Sequence, residues 1–170
     1  MLANAVINRI KALFEVVGAS APAVATRIEA KQLAAAALLA MAALGDDHID
    51  ASERAALKRL LSARFGLDAA AVATLIEAAE REARDATQLL RFTRVVKDHF
   101  SPAERIELIE MIWEVVYADG ELHAYEDSLL RRIAGLIYVS DRDRGAARKR
   151  VMARLRAAGQ MPSPQTPSAD

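Results

Sequence analysis

The side chains best suited to chemistry in this sequence lie in two short acidic segments, residues 46–53 and 119–126. The second segment begins with Asp119-Gly120-Glu121 and ends at Glu126. Carboxylate oxygens at such close spacing are suitable ligands for hard divalent cations. Carboxylates also suit the start of an α-helix, where unpaired N–H groups and the helix dipole favour negative charge. The pattern therefore predicts either a cation site or a set of helix caps.

The first acidic segment lies 73 positions earlier and has a related arrangement. Asp46 corresponds to Asp119, and Glu53 corresponds to Glu126. His48 lies close by but does not match the position of a histidine in the second segment. The candidate metal ligands are Asp46, Glu53, Asp119 and Glu126, with Asp47, Asp50 and Glu121 as weaker candidates.

A conventional EF-hand calcium loop is excluded. With Asp119 at the fifth position of such a loop and Glu126 at the twelfth, the first and third positions fall on Val115 and Tyr117. An EF-hand takes oxygen ligands from both of these positions, and neither side chain offers a carboxylate. Asp47 stands where the first segment would need the loop glycine. What remains is a shared acidic patch, formed by both segments, that binds a divalent cation or a basic partner.

Composition limits the class of protein. The 170 residues suffice for one domain with a sizeable core. The formal net charge is zero, so overall charge gives no reason to expect a nucleic-acid partner. The absence of cysteine excludes disulfides, thiolate metal sites and a cysteine nucleophile. We find no phosphate-binding loop, zinc-ligand spacing or nucleophile with a recognisable base. We therefore predict no catalytic residues, no enzyme activity and no certain cofactor, with a divalent cation as the one candidate.

Helical periodicity runs through most of the sequence, which predicts an all-α fold class with a bundle of about eight helices. Residues 1–19 are predicted to form an amphipathic helix packed on the domain. Residues 20–157 are predicted to form the helical domain, and residues 158–170 a disordered tail. Within the domain, a buried helix, an acidic segment and a second helix occur twice, at about residues 31–65 and 104–138. This internal repeat predicts a pseudo-twofold bundle.

Three other surfaces receive predictions of their own. Glu107, Glu110 and Glu114 form an acidic stripe that we interpret as a solvated face. Trp113 and Tyr117 are separated by one helical turn and are predicted to belong to the core. The final helix is rich in arginine, which predicts a solvated or partner-facing basic surface.

The run from Trp113 to Glu126, together with Leu129-Leu130-Arg131-Arg132-Ile133, resembles the tellurite-resistance TerB-like family of small all-helical bacterial domains. The resemblance covers about residues 30–157. It implies a module linked to stress and metal-oxyanion resistance rather than to one reaction, and it implies a membrane-associated partner. It also implies metal binding by the matching acidic residues. The first segment departs from the Asp-Gly-Glu form of the second, because it reads Asp46-Asp47-His48.

Two functional hypotheses remain open. The first is a non-enzymatic TerB-like module that binds a divalent cation or a protein partner through the paired acidic turns. The second is a peripheral membrane or co-chaperone-type adaptor that acts through the N-terminal amphipathic helix and the basic final helix. Neither hypothesis involves nucleic acid. No segment is long and apolar enough to form a transmembrane helix, so the expected location is the cytoplasm, with the periphery of the inner membrane as the alternative.

Overall fold

The structure, a computed structural model, describes residues 24–44, 49–82, 86–120 and 122–160. All regular elements within these ranges are α-helices, which confirms the predicted all-α fold class. The seven helices described are α1 (Val24–Ala43), α2 (Ala51–Phe65), α3 (Ala69–Glu82), α4 (Ala86–His99), α5 (Pro102–Val116), α6 (Ala124–Leu136) and α7 (Asp141–Ala157). The predicted amphipathic helix at residues 1–19, and the predicted tail beyond residue 160, lie outside the described residues. None of the described helices is both long enough and apolar enough to cross a membrane.

Helix α1 lies at the centre of the bundle. It contacts α2, α3, α4, α5 and α6. Residues 34–44 are buried without exception, as predicted for a helix that has no polar face. Most of these side chains are alanines, whose small size allows the neighbouring helices to approach closely. The core of the protein is therefore built around the alanine-rich half of α1.

Helix α5 is the second central helix. Trp113 is buried near its end and stacks on Tyr117, with ring centroids 5.6 Å apart, so both residues belong to the core as predicted. Arg148 of α7 covers the two rings, with its guanidinium carbon 5.3 Å from the Trp113 centroid. Its Nε also donates a hydrogen bond of 2.7 Å to the Tyr117 hydroxyl. These contacts attach α7 to the end of α5.

The acidic stripe on α5 differs from its prediction. Glu107 is exposed, but Glu110 accepts hydrogen bonds from Arg150 at 2.6 Å and from Arg154 at 2.8 Å. Glu114 is also largely covered. Burial acts to raise the pKa of Glu110, but the hydrogen bonds from the two arginines hold it below the ordinary value. The stripe is therefore not a solvated face, because the basic helix α7 packs against it.

Helix ends follow the capping residues of the sequence. Asp50 accepts a hydrogen bond of 2.8 Å from the Glu53 amide at the start of α2. Ser101 accepts one of 3.2 Å from the Glu104 amide at the start of α5. Helix α2 ends at Gly66, whose φ of 62° lies in the left-handed region that glycine adopts without strain. Asp50 therefore sets the point at which the first acidic segment passes into α2.

Candidate functional site

The two acidic segments occupy equivalent places in the chain. The first connects α1 to α2, and the second connects α5 to α6. In the second segment the chain turns at Asp119 and Gly120, and Gly120 has a φ of 87°. A residue with a side chain would be strained at this angle, which accounts for glycine in the Asp-Gly-Glu turn. Each segment leads into a helix whose first turn contains a glutamate.

These glutamates, Glu53 and Glu126, hold corresponding positions in α2 and α6. An Oε2 atom of Glu53 accepts a hydrogen bond of 2.9 Å from the Asp50 amide. An Oε2 atom of Glu126 accepts one of 2.9 Å from the His123 amide. Both side chains thus turn back over the start of their own helix, as in a capping box. Unlike most capping glutamates they are buried, with only 4% and 6% of their surface exposed.

The carboxyl groups of Glu53 and Glu126 meet and share a hydrogen bond. Burial is the main reason that the pKa of Glu53 rises to about 7, and the negative charges of Asp50 and Glu126 act in the same direction. Burial also raises the pKa of Glu126. Two buried carboxylates in contact repel each other, so one of the pair is expected to hold a proton. The raised pKa of Glu53 fits a protonated Glu53 that donates a hydrogen bond to the carboxylate of Glu126.

Two further acidic residues lie beside this glutamate pair. Asp50 is close enough to raise the pKa of Glu53, and Asp119 acts in the same way on Glu126. Asp119 Oδ2 also lies 3.4 Å from His123 Nε2. Within the described parts of the chain, no group of three such side chains is already arranged as a metal site. The geometry therefore provides two converging carboxyls with additional acidic groups nearby, rather than a completed coordination sphere.

Comparison with known proteins identifies the family. The family model for tellurite resistance protein TerB matches residues 32–149. This range is well over half of the chain and includes both acidic segments. The chain belongs to the TerB family. No curated protein and no solved structure shows significant similarity to it.

The structure brings together only some of the residues predicted to form a site in this TerB-family chain. Glu53 and Glu126 are in contact, whereas Asp50 is the N-cap of α2 and Asp119 faces His123. Asp46, Asp47 and Glu121 are also predicted ligands, and they lie outside the described residues.

Sequence reasoning assigned Glu53 and Glu126 to one shared acidic patch, but it did not anticipate that the two side chains are buried against each other. A signal was present, because the two residues correspond in the internal repeat predicted from the sequence. In a twofold arrangement, residues beside the axis contact their own counterparts. The contact could therefore have been inferred for one of the corresponding pairs, although the spacing alone does not say which pair lies at the axis.

Proposed function

We propose that this TerB-family chain is a non-enzymatic, tellurite-resistance-associated module that binds a divalent cation between its two acidic segments. The observation that carries the proposal is the contact between the buried carboxyls of Glu53 and Glu126. Each carboxyl comes from a different segment, so one ion placed between them would connect the two halves of the domain. Cation binding would then be coupled to the packing of α2 and α6.

Electrostatics supports this use of the pair. Two buried carboxylates in contact need a compensating positive charge, which a proton or a metal ion can supply. A divalent cation would neutralise Glu53 and Glu126 together and would replace the proton that they share. Carboxylate oxygens favour Ca²⁺, Mg²⁺ or Mn²⁺, while the sequence contains no thiolate for a softer metal.

The remaining ligands of the proposed site would come from the rest of the two acidic segments and from water. Asp119 and Asp50 already act electrostatically on the glutamate pair. Asp46, Asp47 and Glu121 stay predicted ligands. A site completed in this way would be more acidic than the glutamate pair alone, which would increase its attraction for a divalent cation.

The proposal includes the pseudo-twofold relation between residues 31–65 and 104–138. Lys31 Nζ lies 2.6 Å from Glu104 Oε1, and these residues are separated by 73 positions. Glu53 and Glu126 are separated by the same number of positions and are also in contact. Contacts between corresponding residues are what a twofold axis produces. Such an axis would run between α1 and α5 and would place the cation close to it.

The contacts of α7 favour the cation module over the adaptor hypothesis. That hypothesis uses the basic final helix as a free surface. Arg150 and Arg154 are instead paired with Glu110 of α5, and Arg148 lies against two core aromatic rings. The N-terminal helix on which the adaptor would also depend lies outside the described residues.

Thermal unfolding of the metal-stripped protein tests the proposal. Ca²⁺, Mg²⁺, Mn²⁺ and Zn²⁺ would each be titrated against the wild type and against a Glu53→Gln/Glu126→Gln variant. An ion that binds only the folded state raises stability by about 2.7 kcal/mol at a concentration one hundred times its Kd. We expect a saturable rise in Tm for the wild type with at least one ion, and no rise for the variant.

Glu104→Gln is the matched control. Glu104 forms the same kind of capping box at the start of α5, but it lies outside the acidic segments and pairs with Lys31. This variant should keep the response to the cation. Equal responses in the wild type and the double variant, or no response of the wild type to any of the four ions, would overturn the proposal. A basic protein partner would then be the remaining use of the acidic segments.

A further inference from the structure

A second candidate surface lies at the other end of α6 from the acidic segments. A groove of about 430 Å³ runs between α4 and the end of α6. Leu90, Arg94 and Lys97 line it on the α4 side, and Leu136 and Tyr138 line it on the other side. Leu136 stands ten positions after Glu126 on the same helix, a rise of roughly 15 Å. The groove is therefore separate from the proposed cation site.

The groove exposes large apolar side chains. Leu90 is 48% exposed and Tyr138 is 73% exposed. Among the described residues only one other large hydrophobic side chain, Tyr125, is comparably exposed, so two of the three lie on this one groove. Apolar side chains grouped at the surface and bordered by charges are typical of protein interaction sites.

The backbone at Tyr138 is unusual. Its φ of 59° lies in the left-handed region, where helix ends normally place glycine or asparagine. A tyrosine in this conformation is strained by about 1 kcal/mol or more. The core does not bury the ring in return, because the side chain stays exposed. The Lys97 ammonium lies 5.8 Å from the ring centroid. The left-handed backbone conformation at Tyr138 is therefore associated with an exposed aromatic ring at the groove.

The charge of the groove is positive. Arg91, Arg94 and Lys97 all line it, and their spacing of three residues places them along one side of α4. Lys97 also pairs with Asp98 beside it, at 3.2 Å. No carboxylate is among the described residues that line the groove. This local excess of positive charge stands out in a chain whose net charge is zero.

We propose that the groove binds an acidic peptide segment of a protein partner. An aliphatic or aromatic side chain of that segment would pack between Leu90 and Tyr138, and flanking carboxylates would face Arg94 and Lys97. The positive charge of the groove accounts for the acidic character of the partner, and the exposed side chains of Leu90 and Tyr138 account for the hydrophobic anchor. Single-stranded nucleic acid fits less well, since it uses several stacking rings. Among the described residues that line the groove, Tyr138 is the only aromatic ring, and a lysine already lies over it.

Selection of random short peptides displayed on their own mRNA, with the full-length protein as bait, tests this proposal. We expect the enriched sequences to combine Asp or Glu with Leu or Phe. Fluorescence anisotropy with an enriched peptide should show binding weakened about tenfold or more by Arg94→Glu/Lys97→Glu, because two attractive charges become repulsive. Leu90→Gln should also weaken binding, because it removes the apolar anchor point.

Lys149→Glu/Arg156→Glu is the matched control, since it reverses two exposed cations on α7 that do not line the groove. It should leave peptide binding unchanged, and circular dichroism of all variants would verify that they are folded. Enrichment of peptides without acidic residues would overturn the proposal, as would peptide binding that survives the reversal at Arg94 and Lys97. Binding of a labelled oligothymidylate in place of peptides, lost in that same variant, would assign the groove to nucleic acid instead.

Discussion

Glu53 and Glu104 occupy the same local motif, but their pKa values shift in opposite directions. Each is the glutamate of a capping box, and each accepts a hydrogen bond from the amide of its N-cap residue. A hydrogen bond from Lys31 holds the pKa of Glu104 below the ordinary value, whereas burial raises the pKa of Glu53 to about 7. The capping motif therefore does not decide the protonation state. The difference comes from the surroundings of each carboxyl: Glu53 is buried beside Glu126, whereas Glu104 is partly exposed and paired with Lys31.

The raised pKa of Glu53 predicts how stability depends on pH in the absence of metal. The folded state holds a proton on Glu53 up to about pH 7, whereas the unfolded chain releases it near 4.5. The folded state thus binds more protons between these values, and the free energy of unfolding falls as pH rises through this window. The difference between a pKa of 4.5 and one of about 7 corresponds to a fall in the free energy of unfolding of about 3 kcal/mol across this window.

Urea unfolding in the presence of a chelator, at several pH values between about 4.5 and 8, measures this dependence. Replacing Glu53 with glutamine removes its titration while keeping a carbonyl that can accept the Asp50 amide hydrogen bond. The Glu53→Gln variant should therefore lose much of the pH dependence of the wild type. Identical pH profiles for the two proteins would mean that Glu53 titrates normally in the folded state.

Sequence reasoning located these glutamates but did not predict their environment. Spacing identified Glu53 and Glu126 as candidate ligands and as helix-capping residues, and the structure places both at helix starts. A capping glutamate is ordinarily exposed, so its local sequence does not indicate burial. Burial here depends on how α2 and α6 approach each other, and that approach is a property of the packed bundle.

At the scale of elements, the pairing of α5 with α7 combines a stripe of negative charge with a basic helix. The prediction identified both charged surfaces, treated the acidic stripe as solvated and treated the basic helix as solvated or partner-facing. The spacing contained a usable signal, because Arg150 and Arg154 are one helical turn apart and can reach a single acceptor. Helix starts were more predictable, since caps such as Ser101 act through residues that are adjacent in sequence.

Loss of the Glu110 charge should loosen α7. Glu110→Gln leaves Arg150 and Arg154 without their shared carboxylate, and we expect the free energy of unfolding to fall by about 1 kcal/mol, because the two arginines are half exposed. Hydrogen exchange of the α7 amides should become faster. Glu107→Gln is the control, since Glu107 lies exposed on the same helix. Equal exchange rates in both variants would show that the ion pairs do not hold α7 in place.

At the scale of the whole molecule, α6 separates two surfaces of opposite character. Its first turn carries Glu126, the last residue of the second acidic segment, while its end leads to Leu136 and Tyr138 in the basic groove. Sequence periodicity predicted the helices and the all-α class, because apolar residues spaced three and four positions apart indicate a buried helix face. It did not predict the groove, which depends on how α4 and α6 pack together.

Isothermal titration calorimetry of cation binding, carried out in buffers that differ in ionisation enthalpy, tests the central claim most directly. Such buffers reveal how many protons are released when the ion binds. If a divalent cation replaces the proton shared by Glu53 and Glu126, close to one proton should be released below the Glu53 pKa of about 7, and fewer above it. Glu53→Gln/Glu126→Gln should abolish binding. Binding without proton release at low pH, or undiminished binding to this variant, would contradict the account.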